Sequence, residues 1–241
     1  RIRYFFRAFE NIRLTDLFLN LFYKRYAKKG LQSESMHTQD NKNIVWHKGF
    51  IARKDRNHAY GHKSGLIWFT GLPSSGKSSI AYSLERLLFK KGISCYVLDG
   101  DNIRHGLNSD LGFSREDRKE NIRRVIEVAK LFVDAGFVVL ASFVSPYKKD
   151  REYVRKQFEA DNFIEIYIKC SVQECERRDP KGYYEKARKG LIDGYTGIDS
   201  PYEEPETAEI VIDTEKLTIA DSVNLIFTYL TRHSWFFKPF A

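Results

Sequence analysis

The chain has 241 residues, of which 42% are hydrophobic and 30% charged, so it can bury a core and is neither disordered nor collagen-like by composition. Three cysteines without a Cys-x-x-Cys pair argue against a disulfide scaffold or a cysteine zinc site and favour a reducing, cytoplasmic location. The formal charge is +8, but residues 1–35 carry +5 of it. The remaining 206 residues are only mildly basic, so we expect no nucleic-acid partner.

The beginning of the sequence differs from the rest. Residues 1–36 mix aromatic and leucine side chains with basic ones, a pattern typical of an amphipathic helix that lies on a membrane or a partner protein. Alternatively, Met36, the single methionine, is the native start of the protein. Both interpretations stay open at this stage. We divide the chain into an extension at 1–36 and a domain at 37–241, and we do not expect membrane association.

From residue 64 onward, short apolar runs alternate with segments of helical periodicity. Apolar runs separated by helices are typical of a parallel sheet covered on both faces, so we predict an α/β fold with about five strands. The aromatic cluster at 235–237 either packs on this domain or meets another subunit. The predicted strands are 65–70, 94–98, 137–143, 163–169 and 210–213, and the predicted helices are about 77–91, 115–135 and 148–158, with one more after the last strand.

A phosphate-binding motif lies between the first predicted strand and the following helix. Residues 71–78 (GLPSSGKS) match the pattern G-x-x-x-x-G-K-[ST], in which glycines let backbone N–H groups approach a polyphosphate at a helix N-terminus. Lys77 supplies a charge for the β- and γ-phosphates, and the Ser78 hydroxyl is a ligand for Mg²⁺. We therefore predict a site for ATP and Mg²⁺. Its residues are Gly71, Leu72, Pro73, Ser74, Ser75, Gly76, Lys77 and Ser78.

Segments further along the chain point to the acceptor. They are 98–114 (LDGDNIRHGLNSDLGFS), 117–124 (DRKENIRR), 143–146 (FVSP), 179–182 (DPKG) and 195–203 (TGID and SPYE after a tyrosine). Together they closely resemble the adenosine 5′-phosphosulfate (APS) kinases of sulfate assimilation, over about residues 42–230. The resemblance implies a P-loop kinase fold with a mobile lid, a homodimer, and transfer of the ATP γ-phosphate to the 3′-hydroxyl of APS.

The resemblance also implies roles for individual residues. Arg104, Arg118 and Asn121 match the residues that hold the phosphosulfate end of APS, a task that suits the planar, charged fork of arginine. Phe113 and Tyr195 match the aromatic pair between which the adenine stacks. A last candidate is Lys181, which lies in the lid and adds charge near the phosphates. Neighbouring Arg123 and Arg124 are either ligands or solvated helix residues.

The sequence departs from the family pattern at three places. Pro73 and Ser74 stand where the loop is often richer in glycine, and proline removes one N–H donor. Tyr195 replaces a frequent phenylalanine. Glu185 occupies a lid position that often carries lysine, which leaves the electrostatic role of the lid open.

Besides Lys77, three residues are candidates for the chemistry. Asp99 or Asp101 follows the second predicted strand and accepts or orients the proton of the 3′-hydroxyl; alternatively, one of them caps a helix. Ser145 follows the third predicted strand, at the edge where parallel sheets place ligands. The family convention makes it a phosphoserine intermediate, whereas we favour direct transfer with Ser145 contacting the substrate, because the sequence offers no convincing base for it.

Two rival functions remain open on the sequence alone. One is a different small-molecule P-loop kinase, which acts on a sugar acid or a nucleoside monophosphate. The other is a nucleotide-dependent binding protein whose basic N-terminal arm contacts a membrane or nucleic acid.

Overall fold

A computed structural model of the chain describes residues 45–237, and the predictions made for the extension at 1–36 lie outside this range. Within the described range no helix has both the length and the apolar character needed to cross a bilayer. The strands are β1 (Gly65–Thr70), β2 (Cys95–Asp99), β3 (Val138–Ser142), β4 (Phe163–Lys169) and β5 (Ile210–Asp213). The helices are α1 (Arg53–Tyr60), α2 (Lys77–Lys90), α3 (Arg115–Asp134), α4 (Lys148–Arg155), α5 (Val172–Arg178), α6 (Tyr183–Arg188) and α7 (Ile219–Arg232).

The five strands form one parallel sheet in the order β2-β3-β1-β4-β5. This confirms the predicted α/β fold with five parallel strands. Because all strands run the same way, their carboxyl ends meet at one edge of the sheet. The register pairs Ser142 with Asp99 on one side and with Phe69 on the other, so the ends of β1, β2 and β3 are neighbours. The candidate site residues that follow these strands therefore share one edge.

Helices cover both faces of the sheet, as predicted. Alternate side chains of a strand point to opposite faces, and β1 is buried along its whole length. Its Ile67 and Phe69 belong to a core cluster with α2 and α7. Its Leu66 and Trp68 belong to a second cluster with α3. The continuous apolar run in the sequence thus reflects a central strand with a packed layer on each side.

Three helices were absent from the sequence prediction, and each lacks a clear periodic signal. Helix α1 buries none of its residues, so no apolar stripe marks it. Helices α5 and α6 have only seven and six residues, too few for a helical repeat to stand out. Strand β2 also begins and ends one residue later than predicted, which makes Asp99 its last residue.

The C-terminal aromatic cluster packs on the domain. Trp235 is 2% exposed and belongs to the core cluster under α2 and α7. A Cβ added at Gly65 would lie 2.7 Å from the Trp235 ring, so this glycine is required by close packing. The Phe237 N–H donates to the carbonyl of Gly61 (2.9 Å), which fastens the end of the described chain beside β1. The sequence left this question open, and burial of the indole decides it.

Candidate active site

The loop between β1 and α2 has the conformation that its glycines predict. A Cβ at Gly71 would lie 2.5 Å from the carbonyl oxygen of Ile168, so only glycine lets the loop start this close to β4. Gly76 has a φ of +101°, a backbone conformation that favours glycine, and it leads directly into α2. The first turn of a helix leaves N–H groups without intrahelical partners. The loop therefore ends in backbone donors at the positive end of a helix dipole.

Lys77 lies folded over this loop. Its Nζ donates to the carbonyl of Leu72 (2.6 Å) and approaches the Ser75 hydroxyl (3.4 Å). Burial lowers the pKa of Lys77 to about 8, although the charges of Cys175, Asp99 and Asp101 act in the opposite direction. A buried ammonium with few countercharges is electrostatically suited to bind a polyphosphate.

The hydroxyl of Ser78 and the carboxylate of Asp99 are joined at the carboxyl edge of the sheet. Ser78 Oγ donates to Asp99 Oδ2 (2.6 Å) and lies 3.2 Å from Ser142 Oγ. The other carboxylate oxygen of Asp99 accepts from the N–H groups of Asp101 (2.9 Å) and Asn102 (3.4 Å). One oxygen of Asp99 thus accepts from the N–H groups at the start of the short 3₁₀ turn Asn102–His105, and the other accepts from the Ser78 hydroxyl; its action on the 3′-hydroxyl remains a prediction.

Asp101 and Lys181 form an ion pair between the turn after β2 and the segment that joins α5 to α6. Both side chains are more than half exposed, so the pair contributes little to stability. Hydrogen bonding to Asp101 raises the pKa of Lys181. Glu185, the unusual residue of this segment, pairs with Lys189 on its own helical turn (2.5 Å). The acidic substitution is therefore neutralised locally, and Lys181 remains the cation nearest Asp101.

On the other side of the site, Arg104 stacks on Phe113. Its guanidinium lies 4.3 Å from the ring centroid, and Nη1 donates to the carbonyls of Leu111 (2.9 Å) and Gly112 (3.0 Å). The ring of Phe113 is 67% exposed, so one aromatic face stays open to a ligand. Burial, and then the nearby charge of Arg118, lower the pKa of Arg104. Two like charges that repel each other are suited to an anion that would neutralise both.

Arg118 connects the two segments that carry the predicted aromatic pair. Its Nε donates to the carbonyl of Phe113 (2.9 Å), while its Nη2 donates to the carbonyl of Gly194 (2.8 Å) and its Nη1 to Thr196 Oγ1 (3.1 Å). One guanidinium therefore holds residues 113 and 194–196 together. Tyr195 lies in the segment 194–196, and its ring packs edge to face on the ring of Tyr184, with 5.0 Å between the ring centroids.

Asn121 is buried on α3, one turn after Arg118, and its Oδ1 accepts from Asn108 Nδ2 (2.9 Å). Arg124 bonds to groups of the protein: two of its nitrogen contacts go to the Asp110 carboxylate (2.6 and 2.8 Å), and one goes to the Leu107 carbonyl (3.1 Å). Arg123 pairs with Glu120 (2.7 Å). Both arginines are thus paired with groups of the protein, as Arg104 and Arg118 also are, so the question that the sequence left for them stays open.

The hydroxyl of Ser145, three residues after β3, is bonded within the protein. Its hydroxyl donates to Thr70 Oγ1 (2.9 Å) and accepts from the indole N–H of Trp68 (3.0 Å). The Arg151 guanidinium donates to its carbonyl (2.8 Å), and the residue is buried with a φ of +39°. Among the described residues, no carboxylate or histidine is bonded to this hydroxyl. The expected contact of Ser145 with substrate therefore remains a prediction, and its geometry favours a structural role.

Two residues at the base of the phosphate loop were missed from the sequence. Thr214 Oγ1 donates to the carbonyl of Ser75 (3.0 Å), and Arg178 donates to both oxygens of Thr214 (3.0 and 2.9 Å). They hold the loop from the side of β5. Thr214 follows the last parallel strand directly, so its place at the carboxyl edge was a usable signal. Arg178 lies at the end of a helix too short to predict, so no sequence signal pointed to it.

Comparisons with known proteins agree with this geometry. The family model for adenylylsulphate kinase matches residues 63–213. An adenylyl-sulfate kinase of Geotalea uraniireducens is 58% identical over 192 residues, which are 80% of this chain and 92% of the relative. One from Staphylococcus epidermidis is 57% identical over 203 residues, 84% and 99% of the two chains.

A solved structure gives the same result. The APS kinase of Mycobacterium tuberculosis, in complex with AMPPNP and APS, matches with a TM-score of 0.68 and 47% identity, over 70% of this chain and 99% of that one. The sequence and structure comparisons thus both confirm the predicted family. The chain belongs to the adenylylsulphate kinase family.

Proposed function

We propose that this protein transfers the γ-phosphate of ATP to the 3′-hydroxyl of APS and releases ADP and 3′-phosphoadenosine 5′-phosphosulfate. The observation that carries this proposal is that one segment, 194–197, links two candidate anion sites: Arg118 binds Gly194 and Thr196, and a Cβ at Gly197 would lie 3.1 Å from Leu72 of the phosphate loop. A buried lysine and a helix N-terminus form the donor side at 71–78, and Arg104 and Arg118 form the acceptor side.

On the donor side, the backbone amides of the phosphate loop and Lys77 bind the ATP phosphates. Arg178 and Thr214 support the loop from below through the Ser75 carbonyl. Pro73 fits this arrangement, because its carbonyl accepts from the Tyr184 hydroxyl (3.0 Å) and the missing N–H lies before the helix turn. Lys181 is held by an exposed ion pair with Asp101, and we expect it to exchange this partner for the phosphates when ATP binds.

On the acceptor side, Arg104, Arg118 and Asn121 bind the phosphosulfate group, and the adenine stacks between Phe113 and Tyr195. The Arg118 bridge between residues 113 and 194–196 supports this, because it fixes the spacing of the two aromatic segments. The hydroxyl of Tyr195, which a phenylalanine would lack, lies in a half-buried setting that raises its pKa through burial, so it stays protonated.

The residues present also fit a magnesium ion that arrives with ATP. Mg²⁺ prefers oxygen ligands and keeps several waters, and Ser78 Oγ, Asp99 and Ser142 Oγ offer three adjacent oxygen groups. The described residues contain no cluster of three or more ionisable ligands for a permanently bound metal. When bound, the ion neutralises charge on the transferred phosphoryl group. Ser78 and Asp99 are the residues that would hold it, directly or through water.

For the transfer itself, Asp99 is the best-placed proton acceptor for the 3′-hydroxyl. It is buried at the sheet edge and already accepts a hydrogen bond from one hydroxyl, that of Ser78. Phosphoryl transfer depends mainly on positioning and charge, so a carboxylate that orients the attacking oxygen is sufficient. Asp101 instead orients the lid through Lys181.

We expect Ser145→Ala to turn over within a few-fold of wild type, because the transfer is direct and the hydroxyl is used inside the protein. The variant should nevertheless unfold at a lower temperature, since it leaves the buried Trp68 N–H without its acceptor, at a cost of about 1–3 kcal/mol. Ser145→Gly is the matched control, because glycine also lacks the hydroxyl but tolerates the positive φ. A loss of activity of several hundred-fold in both folded variants would instead support a phosphoserine route.

The function as a whole is tested by one assay. Purified protein with ATP, Mg²⁺ and APS should release ADP at the rate at which a product 80 Da heavier than APS forms, within the roughly 1–100 s⁻¹ typical of kinases. Gluconate, shikimate and AMP serve as alternative acceptors. Faster turnover of any of these would replace the proposal with the rival kinase, and ATP binding without transfer would favour the binding protein.

Self-association as a homodimer, and a cytoplasmic location, remain predictions. Light scattering of the purified chain measures the first. A chain that begins at Met36 and keeps full activity would separate the N-terminal extension from catalysis.

A further inference from the structure

The proposed role of Asn121 at the acceptor site depends on which way its carboxamide is oriented. A carboxamide presents an oxygen that accepts hydrogen bonds and a nitrogen that donates two. An anionic phosphosulfate can be bound only by the nitrogen, and the oxygen would repel it. The proposed role of Asn121 therefore requires a second group that fixes which end of its side chain faces the ligand.

Asn108 supplies a contact of the required kind. It is fully buried, and its Nδ2 donates to Asn121 Oδ1 at 2.9 Å. This bond occupies the oxygen of Asn121 and turns its nitrogen the other way. Asn121 Nδ2 makes no hydrogen bond to the described residues, yet it is not among their buried, unpartnered polar atoms, so it keeps access to solvent.

The loop around Asn108 is held firmly. The Asn108 N–H donates to the carbonyl of Ile103 (2.9 Å), and its own carbonyl accepts from Leu111 (3.2 Å). Arg124 binds residues on either side of Asn108 in the sequence, through the Leu107 carbonyl and the Asp110 carboxylate. Asn108 therefore cannot easily turn away from Asn121, and its carboxamide has few other positions.

The burial of Asn108 has a cost that a purely structural role does not explain. Its Oδ1 is buried and has no hydrogen-bond partner among the described residues. An unpaired buried polar group is unfavourable, and an apolar side chain of similar size would avoid it. What asparagine provides here is the donor to Asn121.

We propose that Asn108 is a positioning residue: its buried amide donor orients Asn121 so that the amide nitrogen of Asn121 binds the phosphosulfate of the acceptor. The inference rests on the proposed function, because it assumes that this anion lies at Asn121. Asn108 itself does not touch the substrate.

Asn108→Asp is the sharpest test. An ionised aspartate only accepts hydrogen bonds, so Asn121 must turn its nitrogen inward and present its oxygen to the anion. We expect KM for APS to rise roughly 10- to 100-fold, the range for losing a hydrogen bond to a charged group, with KM for ATP unchanged. As the pH falls and the aspartate is protonated, it donates again, so KM for APS should return towards the wild-type value.

Asn108→Ala is the matched control, because it removes the donor without adding a negative charge or forcing the reversed orientation; a wild-type KM for APS in this variant would assign the Asn108→Asp loss to charge repulsion and overturn the positioning role. It should raise KM for APS less than Asn108→Asp does, and without recovery at low pH. Binding of adenosine, which lacks the anion, should be equal in both variants and wild type. This comparison keeps the test valid for a partly destabilised variant, because general damage to the site would weaken adenosine as well.

The outcomes separate cleanly. An Asn108→Asp enzyme with wild-type KM for APS, or equal losses in both variants without pH recovery, would overturn the positioning role. So would parallel losses of APS and adenosine binding. A wild-type protein that does not phosphorylate APS would instead overturn the proposed function, before any variant is compared.

Discussion

Lys77→Met is expected to lower kcat by roughly 100-fold or more, about 3 kcal/mol of transition-state stabilisation, while the protein stays folded. Methionine keeps the length and apolar stem of the side chain but removes the charge. Among the described residues, the Nζ of Lys77 hydrogen bonds only to the Leu72 carbonyl and the Ser75 hydroxyl, so its charge is available for the phosphates. Steady-state kinetics with ATP and APS, with thermal unfolding of the same preparations, measure both quantities.

The same variant should reveal that this charge opposes folding. Burial lowers the pKa of Lys77 to about 8 from 10.5, so the protonated form is disfavoured in the folded state. The cost is complete below about pH 8 and disappears as the pH rises to 10.5, because the unfolded chain then also loses the proton. Without nucleotide, Lys77→Met should therefore be at least as stable as wild type at pH 7, and wild type should approach it between pH 8 and 10.5.

Lys90→Met is the matched control, because Lys90 is exposed at the other end of the same helix. It should leave both turnover and the pH dependence of stability unchanged. Turnover of Lys77→Met within tenfold of wild type would show that the loop binds nucleotide without contributing this charge to catalysis.

The donor half of the site could be predicted from the sequence because its determinants are local. The glycines, Lys77 and Ser78 are contiguous, and the strand before them and the helix after them are long enough to recognise. Asp99 was found for a related reason: parallel strands bring their carboxyl ends together, so a polar residue at the end of one strand meets those of its neighbours.

The bonds that organise the acceptor half could not be predicted in this way. Arg118 binds Gly194 and Thr196, which follow it by 76 and 78 positions, and no local pattern records such a pairing. The family resemblance named Arg118 as a ligand residue but gave no hint of its bridging bonds. The sequence likewise showed Asn108 only as part of a matching segment, and its contact with Asn121 is visible only in the structure.

Ser145 illustrates the limit of the strand-end argument. Its position after β3 predicted a residue that contacts the substrate, whereas its backbone has a positive φ and its hydroxyl bonds to Trp68 and Thr70. The hydrogen-bond partners that make this turn favourable, the Trp68 N–H donor and the Thr70 Oγ1 acceptor, lie on β1, more than 70 positions earlier. Position along a strand specifies the edge of the sheet, but only tertiary hydrogen bonds specify which way the side chain faces.

Asp99→Asn is the second substitution with a large expected effect, a fall in kcat of roughly 10²- to 10⁴-fold, the usual contribution of a proton-transfer group. The fold should be retained, because asparagine keeps an oxygen for the Asp101 and Asn102 N–H groups and an amide that the Ser78 hydroxyl can accept from. KM for ATP at saturating Mg²⁺ should change little, since Lys77 and the loop are untouched. Initial rates across a series of Mg²⁺ concentrations provide the measurement.

Asp101→Asn is the informative comparison, because Asp101 has the same chemistry two residues away but is exposed and paired with Lys181. Removing its charge frees the lid lysine, and we expect less than a tenfold loss. A reversed ranking, with Asp101→Asn the more damaging, would transfer the proton-accepting role to Asp101. Recovery of the Asp99→Asn rate at high Mg²⁺ would mean that Asp99 acts by holding the metal's water shell. A deficit that persists at saturating Mg²⁺ is the result expected if its carboxylate orients the attacking hydroxyl.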